Sequence, residues 1–423
     1  MPVKRNKPNK SPVRTVMTIL FVAVAFLRVW FGYLNSSYYT GAVNTDKSEP
    51  VKNYTANIYI IDDNKYLRIE QKDVLADFAF GYATTLCSIE PKDKSAVFTE
   101  KNENYYLNTA AFEILAQIRK MSHLDLSLTH AEITYNVVDV VTSGDKVKVH
   151  LTEDNIQQFR HMDRPSESRN INHLFVLKQV DGKWLIESHE QEEDFFLLAR
   201  EGWADAKGNS YAEKAANTVE LIKADAEENK SELSASTGNR PENLQAADTS
   251  YNRQRAVEYA SKWWNERNYT GNYLAYDDFG GNCQNFASQC LYAGGIKMDY
   301  NSRYGEWQWK FYSATLNTKR AASGRSYSWT GVDPFYTYVI NNDSTGLVAQ
   351  ADIDLYCAEK GDVIQVGAYH RWRHSLVVTD VVCDEDGNMI DIIVASNTAD
   401  RWNYPLSAYI YTYPRLIHII GQN

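Results

Sequence analysis

Gly280-Gly281-Asn282-Cys283-Gln284-Asn285-Phe286-Ala287-Ser288-Gln289-Cys290-Leu291-Tyr292-Ala293-Gly294-Gly295 is the stretch on which the reading of this 423-residue chain turns. A glycine pair makes a turn, Asn282 stands where a polar N-cap is wanted, and a second glycine pair ends the helix. Counted from Cys283, the residues Phe286, Ala287, Cys290 and Leu291 fall at i+3, i+4, i+7 and i+8. The cysteine therefore lies on the apolar stripe, in the first helical turn. Only a thiolate attacks a carbonyl, and the unpaired amides at a helix start stabilise that anion and can hold a tetrahedral oxyanion. Cys283 is thus the candidate nucleophile, while Cys290 reads as a small core residue. The two cannot be bridged, because seven helical residues span about 10 Å, beyond the roughly 7 Å a disulfide tolerates.

A nucleophilic cysteine needs a base and a group to orient it. Downstream, Lys360 to Val366 reads as a turn entering a strand. His374 to Val382 and Met389 to Asn397 read as two strands joined by Asp384-Glu385-Asp386-Gly387. A hairpin centred between Glu385 and Asp386 sets Asn397 opposite His374. Cysteine at a helix head, histidine at a strand start and an amide side chain across from it make a Cys-His-Asn constellation. His374 would take the thiol proton and return it to the leaving amine, and Asn397 would hold the ring. His370 is the rival base and Asp400 the rival orienter.

From about Tyr251 to His418 the chain resembles the putative amidase domain of Gram-positive bacteria, a branch of the papain-like cell-wall peptidase and amidase superfamily. The carriers are GGNCQNFASQCLYAGG, the histidine strand HSLVVTDV, SNTADRWNYPLS from Ser396 to Ser407, and the final Arg415-Leu416-Ile417-His418. The resemblance implies an α+β papain-like core with Cys283 as nucleophile, His374 as base and Asn397 as the third polar residue. The family commonly has an acid just before the nucleophile, where this chain has Asn282. Tyr276 and Asn282 are the candidate oxyanion donors.

The rest of the chain divides around this region. Residues 1–14 carry Lys4, Arg5, Lys7, Lys10 and Arg14 with no acid, and Val16 to Leu27 is unbroken apolar chain, extended after Arg28 by Val29 to Leu34. Residues 1–42 therefore read as a signal peptide or membrane anchor, cleaved near Thr40 and Ala42 in the first case. Either way the remaining chain is expected outside the cytoplasm, secreted or anchored. Residues 55–200 read as an accessory or spacer α+β domain, with helices from Gln71 to Cys87 and Asn108 to Met121. Asp181-Gly182 marks a hairpin between two strands. The phrase HLFVLKQVDGKWLIESHE and the order of elements resemble the cystatin-like or nuclear-transport-factor-like cone fold. Its histidines, His123, His130, His150, His161, His173 and His189, read as surface or satisfied core groups. Residues 204–247 read as a solvated helix and polar linker, and residues 250–423 as the catalytic domain, opened by a helix capped at Thr249 or Ser250.

Composition narrows the function. A net charge of -10, from 44 Lys+Arg against 54 Asp+Glu, argues against nucleic-acid binding. Five cysteines are too few for a disulfide scaffold and odd in number, so at least one thiol should be free. Metal binding is not expected, since His370 and His374 lack any HExxH or CxxC context. The aromatics between Tyr304 and Tyr338, Trp307, Trp309, Phe311, Tyr312, Tyr327, Trp329, Phe335 and Tyr336, serve as core or as walls of a cleft. The expected activity is cofactor-free hydrolysis of amide or peptide bonds through a thioester, with peptidoglycan peptides as the candidate substrate. Acyl transfer by the same residues and a silent binding module are the alternatives.

Overall fold

The structure, a computed structural model, describes residues 36–41, 54–234, 244–271, 273–279, 281–300, 308–311, 325–342, 345–369 and 371–423. Most of the expected export segment, His370, Trp307 and Tyr312 lie outside those residues.

In the first half, β1 (Ser36–Gly41) and β2 (Thr55–Ile61) precede α1 (Ile69–Ser88) and α2 (Glu103–Lys120). Four strands follow, β3 (Leu128–Ser143), β4 (Lys146–Phe159), β5 (Ser166–Val180) and β6 (Lys183–Gln191), then α3 (Asp194–Asp205) and α4 (Tyr211–Ser234). Asp181 and Gly182 both take positive φ, 49° and 79°, the tight primed turn their sequence announces. Thr40, one of the proposed cleavage residues, sits in β1, which pairs with β2.

In the second half, α5 (Arg253–Trp263), α6 (Cys283–Ala293), α7 (Tyr327–Thr330) and α8 (Val332–Asn341) precede the strands. These are β7 (Leu347–Ile353), β8 (Val363–Ala368), β9 (Arg371–Cys383), β10 (Met389–Ser396), β11 (Asp400–Pro405) and β12 (Tyr413–Gln422). Asn252 caps α5, its side chain accepting the Arg255 amide at 3.0 Å, in place of the expected Thr249 or Ser250.

The two halves share one sheet. Its order is β1-β2-β3-β4-β5-β11-β10-β9-β8-β12-β7, with β6 on β5, and among the described strands β2 and β3 pair in parallel while the other pairs are antiparallel. The junction is the β5–β11 pairing of Arg169, Ser168 and Glu167 with Asp400, Arg401 and Trp402. Alternation along β9 then assigns its two faces. Leu376 and Val378 join the large core that also holds Phe78, Phe112 and Phe175 of the first half, and Val377 joins a second core with α5, α6 and α7.

The core of the expected spacer continues under half of the catalytic region. The helix expected between residues 204 and 247 buries one face. Helix α4 lies within that stretch and buries Ala215, Val219, Ile222 and Ala226, since its small and apolar residues recur on one face. What the architecture establishes is a mixed α+β chain on one large mixed sheet.

The histidines of the first half behave as core and surface groups. His173 and His189 are buried and bonded to one another at 3.0 Å, His161 meets Asp391 at 3.0 Å, and His130 meets Thr55. All five cysteines are free thiols, and Cys290 sits in the second core as expected.

Candidate active site

The approach to α6 requires glycine. Gly281 has φ +117°, a conformation that side chains with a Cβ rarely adopt. At the other end of the helix, a Cβ on Gly294 would lie 2.4 Å from the Tyr251 ring, so the segment leading into α5 can lie this close only on glycine. Between them the helix is buried on its polar side as well. The Ser288 hydroxyl accepts the Trp309 indole at 3.1 Å, Asn285 accepts that of Trp329 at 2.9 Å, and Gln284 accepts the Ser375 hydroxyl at 2.6 Å. Trp309, Trp329 and Phe335 are thus packing residues, whereas Tyr327 is exposed.

Asn282 does not cap the helix with its side chain. Its Oδ1 accepts the Tyr276 amide at 3.1 Å and Asn285 Nδ2 at 2.8 Å, its Nδ2 donates to Asn397 Oδ1 at 2.5 Å, and its own amide donates to Thr398 at 2.7 Å. One N–H of the Asn282 side chain is therefore committed to Asn397, while the amides of the first turn keep their N–H groups for the thiol. Tyr276 is buried, with the Arg325 guanidinium 5.0 Å over its ring.

Cys283 is 6% exposed. Burial pushes its thiol up to about 11, against the backbone amides of Ser375, Gln284 and Cys283 itself, which favour the thiolate. The helix start thus acts in the expected direction, but dehydration of the anion outweighs it. His374 is similarly enclosed, and burial pushes it down to about 4; Asp194 acts upward on it and Arg401 downward. At neutral pH the resting pair is neutral thiol and neutral imidazole.

The register between β9 and β10 corrects the expected pairing. The turn closes between Asp384 and Asn388, where the Asp384 side chain accepts two amides and Gly387 takes φ +85°. Met389 then faces Cys383, and after two shifts Ala395 faces Val377. Continued, this brings Asn397 abreast of Ser375, and a one-residue slip turns a side chain to the other face. His374, two before Leu376, belongs to the face toward the first half, where its ring centroid lies 6.3 Å from that of Tyr409. Asn397 belongs to the α6 face, where its Nδ2 donates to the carbonyls of Trp263, Trp264 and Glu266 at 3.1, 2.9 and 3.2 Å.

The structure thus joins Asn282 to Asn397 and brings the Ser375 amide to the Cys283 thiol, with His374 the preceding residue of β9. Among the described residues no hydrogen bond links Cys283 to His374, or His374 to Asn397. Asp400, the rival orienter, is held by Arg267 at 3.1 Å, by Asn170 at 2.9 Å and by the Thr398 amide at 2.9 Å. A pocket of roughly 240 Å³ opens beside Asn282 and Asn397, walled by Trp263, Arg267, Tyr273 and Phe286. A separate groove of roughly 720 Å³, counting the part open to solvent, lies between the halves and includes neither Cys283 nor His374. Among the described residues no group of three or more His, Cys, Asp or Glu could hold a metal.

Residues that sequence reasoning missed are Asp194, Arg401 and Tyr409, which surround His374. Asp194 is an acid at a helix start, ordinarily explained by the helix dipole alone, so nothing local flags it.

Comparison with known proteins agrees with the geometry at the level of family. The chain is 30% identical over 248 residues to the uncharacterized protein YhbB of Bacillus subtilis (strain 168), covering 56% of this chain and 68% of that protein. A crystal structure of a putative aromatic ring hydroxylase from Novosphingobium aromaticivorans overlaps 30% of this chain and 90% of its own at 13% identity, with a TM-score of 0.20, too low to carry an argument. Residues 250–420 match the family described as Putative amidase domain, and the chain belongs to that family.

Proposed function

We propose that the protein is a cysteine-dependent amidase or peptidase, with Cys283 as nucleophile and His374 as base on a papain-like core. The observation that supports this best is the placement of Cys283. It opens α6 with free helix amides and the Ser375 amide turned to its thiol, one residue along β9 from His374. In the cycle, His374 takes the Sγ proton as sulfur attacks the carbonyl carbon, then gives it to the leaving amine. Water attacks the thioester, returning a carboxylate and the thiol. Thiol and imidazole are both buried and share no hydrogen bond among the described residues, so substrate binding has to draw them together, as catalytic hydrogen bonds commonly tighten only in the complex.

The proposed substrate class is a peptidoglycan stem peptide or cross-bridge. Its supports are the family and the basic-flanked apolar run of residues 1–42, read as a signal peptide or membrane anchor that would carry the catalytic region out of the cytoplasm, secreted or anchored. The test is release of new amino groups from purified peptidoglycan. Cys283→Ala and His374→Ala should each reduce it by about 10³-fold or more with the fold intact. Undiminished release by Cys283→Ala overturns the reading. If added amines are incorporated into the product in place of water, the reaction is acyl transfer by the same residues.

A further inference from the structure

We infer that Asp194, from the half of the chain outside the amidase match, is the positioning carboxylate of the amidase site, neutralising Arg401 beside His374 so that the imidazole can accept the Cys283 proton. The inference rests on the proposed roles of Cys283 and His374.

Arg401 lies in β11 and is 3% exposed, with Nη1 2.7 Å from Asp194 Oδ2 and Nη2 2.6 Å from Glu193 Oε2. Its guanidinium is 4.6 Å from the ring centroids of both Tyr404 and Tyr409, and Tyr409 is the ring that packs against His374. One aromatic ring thus neighbours both a fixed, buried cation and the base. When the S–H bond breaks and the N–H bond forms, the imidazole becomes a second cation in the same buried space. Two like charges there repel strongly unless a carboxylate lies between or beside them.

Two carboxylates meet Arg401, and they are not equivalent. The charges that act on His374 are those of Asp194 and Arg401, and Asp194 also acts on Cys283. Burial pushes the Glu193 carboxyl upward, which leaves it the weaker counter-charge. Asp194 is further fixed by the Tyr411 hydroxyl. Arg373, beside His374 on the same strand, is paired with Glu201 at 2.7 and 2.6 Å. Asn397 cannot serve in this place, because it belongs to the opposite face of the sheet.

The test titrates the His374 ring by its ¹³Cε1 resonance in the full-length chain. Asp194→Asn should lower the protonation constant about tenfold and move the acid limb of amide hydrolysis to lower pH. Arg401→Gln should raise the constant, and the double variant should return it close to wild type. An unmoved His374 titration in folded Asp194→Asn overturns the inference, even where hydrolysis falls, since that would be a structural loss alone. If Asp194→Asn does not fold, an unmoved titration in Arg401→Gln overturns it equally. Failure of the amidase reading appears separately, as hydrolysis that survives Cys283→Ala.

Discussion

His189 in the first half and His374 in the amidase half are both buried strand histidines, and they are wired in opposite ways. His189 Nδ1 lies 2.7 Å from Asn108 Oδ1 and Nε2 lies 3.0 Å from His173 Nδ1, with Phe175 stacked at 4.3 Å. Since an amide oxygen only accepts, Nδ1 carries the proton and Nε2 receives one from His173. Every site on that ring is committed. His374 keeps a buried Nε2 with no hydrogen-bond partner among the described residues. A fully bonded ring fixes a core, whereas a ring with an uncommitted nitrogen can move a proton. The same contrast holds within the amidase half, where His418 is bonded to Asp362 at 2.8 Å and to the Gln245 carbonyl at 2.9 Å.

The strongest way to break this comparison is to separate the halves. Residues 244–423 expressed alone would expose the edge of β11 that pairs with β5, and Leu376, Val378, Ile392, Val394 and Tyr409 of the shared core. Arg401 would lose both carboxylates, and breaking a buried ion pair alone costs about 3–5 kcal/mol. The fragment is expected to show no cooperative urea transition by circular dichroism. A fragment with a single transition matching the full chain would establish two independent domains, and the first half would then be the spacer its sequence suggests.

How far that was legible follows from the range of the signals involved. Helix α6, the glycines around it, the Asp181-Gly182 hairpin and the core role of Cys290 are local patterns, and the chain carries them in consecutive residues. The β9–β10 pairing depends on which residue closes a turn. Asp384 binding two amides shifted it by one, which moved Asn397 from the His374 face to the α6 face. The β5–β11 junction and the Arg401 pair with Glu193 and Asp194 join residues more than 200 positions apart, and no periodicity reports such contacts. Gln284, Asn285 and Ser288 on the polar side of α6 are satisfied indoors by hydroxyl and indole donors from distant segments, contacts that no local pattern reports.

A smaller effect sharpens the contrast between histidines. His374 is pushed down to about 4 in the folded chain, against about 6.5 unfolded. Between these values the unfolded chain binds a proton that the folded chain does not. The stability is therefore full above about 6.5 and is lost as pH falls toward 4, by up to about 1.4 kcal/mol per unit and about 3 kcal/mol in all. His189, also held down, adds in the same direction, whereas His418, raised by Asp362 against its burial, acts oppositely and loses its contribution as pH rises. Urea midpoints between pH 4.5 and 7.5 should slope downward on acidification, and His374→Gln should flatten part of that slope. An unchanged slope would mean that the imidazole is not held neutral in the folded protein.

The smallest effect bears most directly on the site. Asn397 Nδ2 meets the carbonyls of Trp263, Trp264 and Glu266, where α5 ends, and those oxygens have no intrahelical donor. Its Oδ1 holds Asn282, and through it the turn that presents Cys283. Asn397→Ala should cost about 2 kcal/mol by leaving buried carbonyls unpaired. Asn397→Asp should cost more, because a carboxylate would face carbonyl oxygens with nothing to donate. The order of the two variants separates the possible roles. Were Asn397 the group that orients His374, aspartate would replace it well, since a carboxylate orients the histidine in many triads. Urea stability and amide release measured on both variants decide the matter. Aspartate as the milder change would return Asn397 to the histidine, and alanine as the milder change would leave it a helix cap that holds the nucleophile's turn.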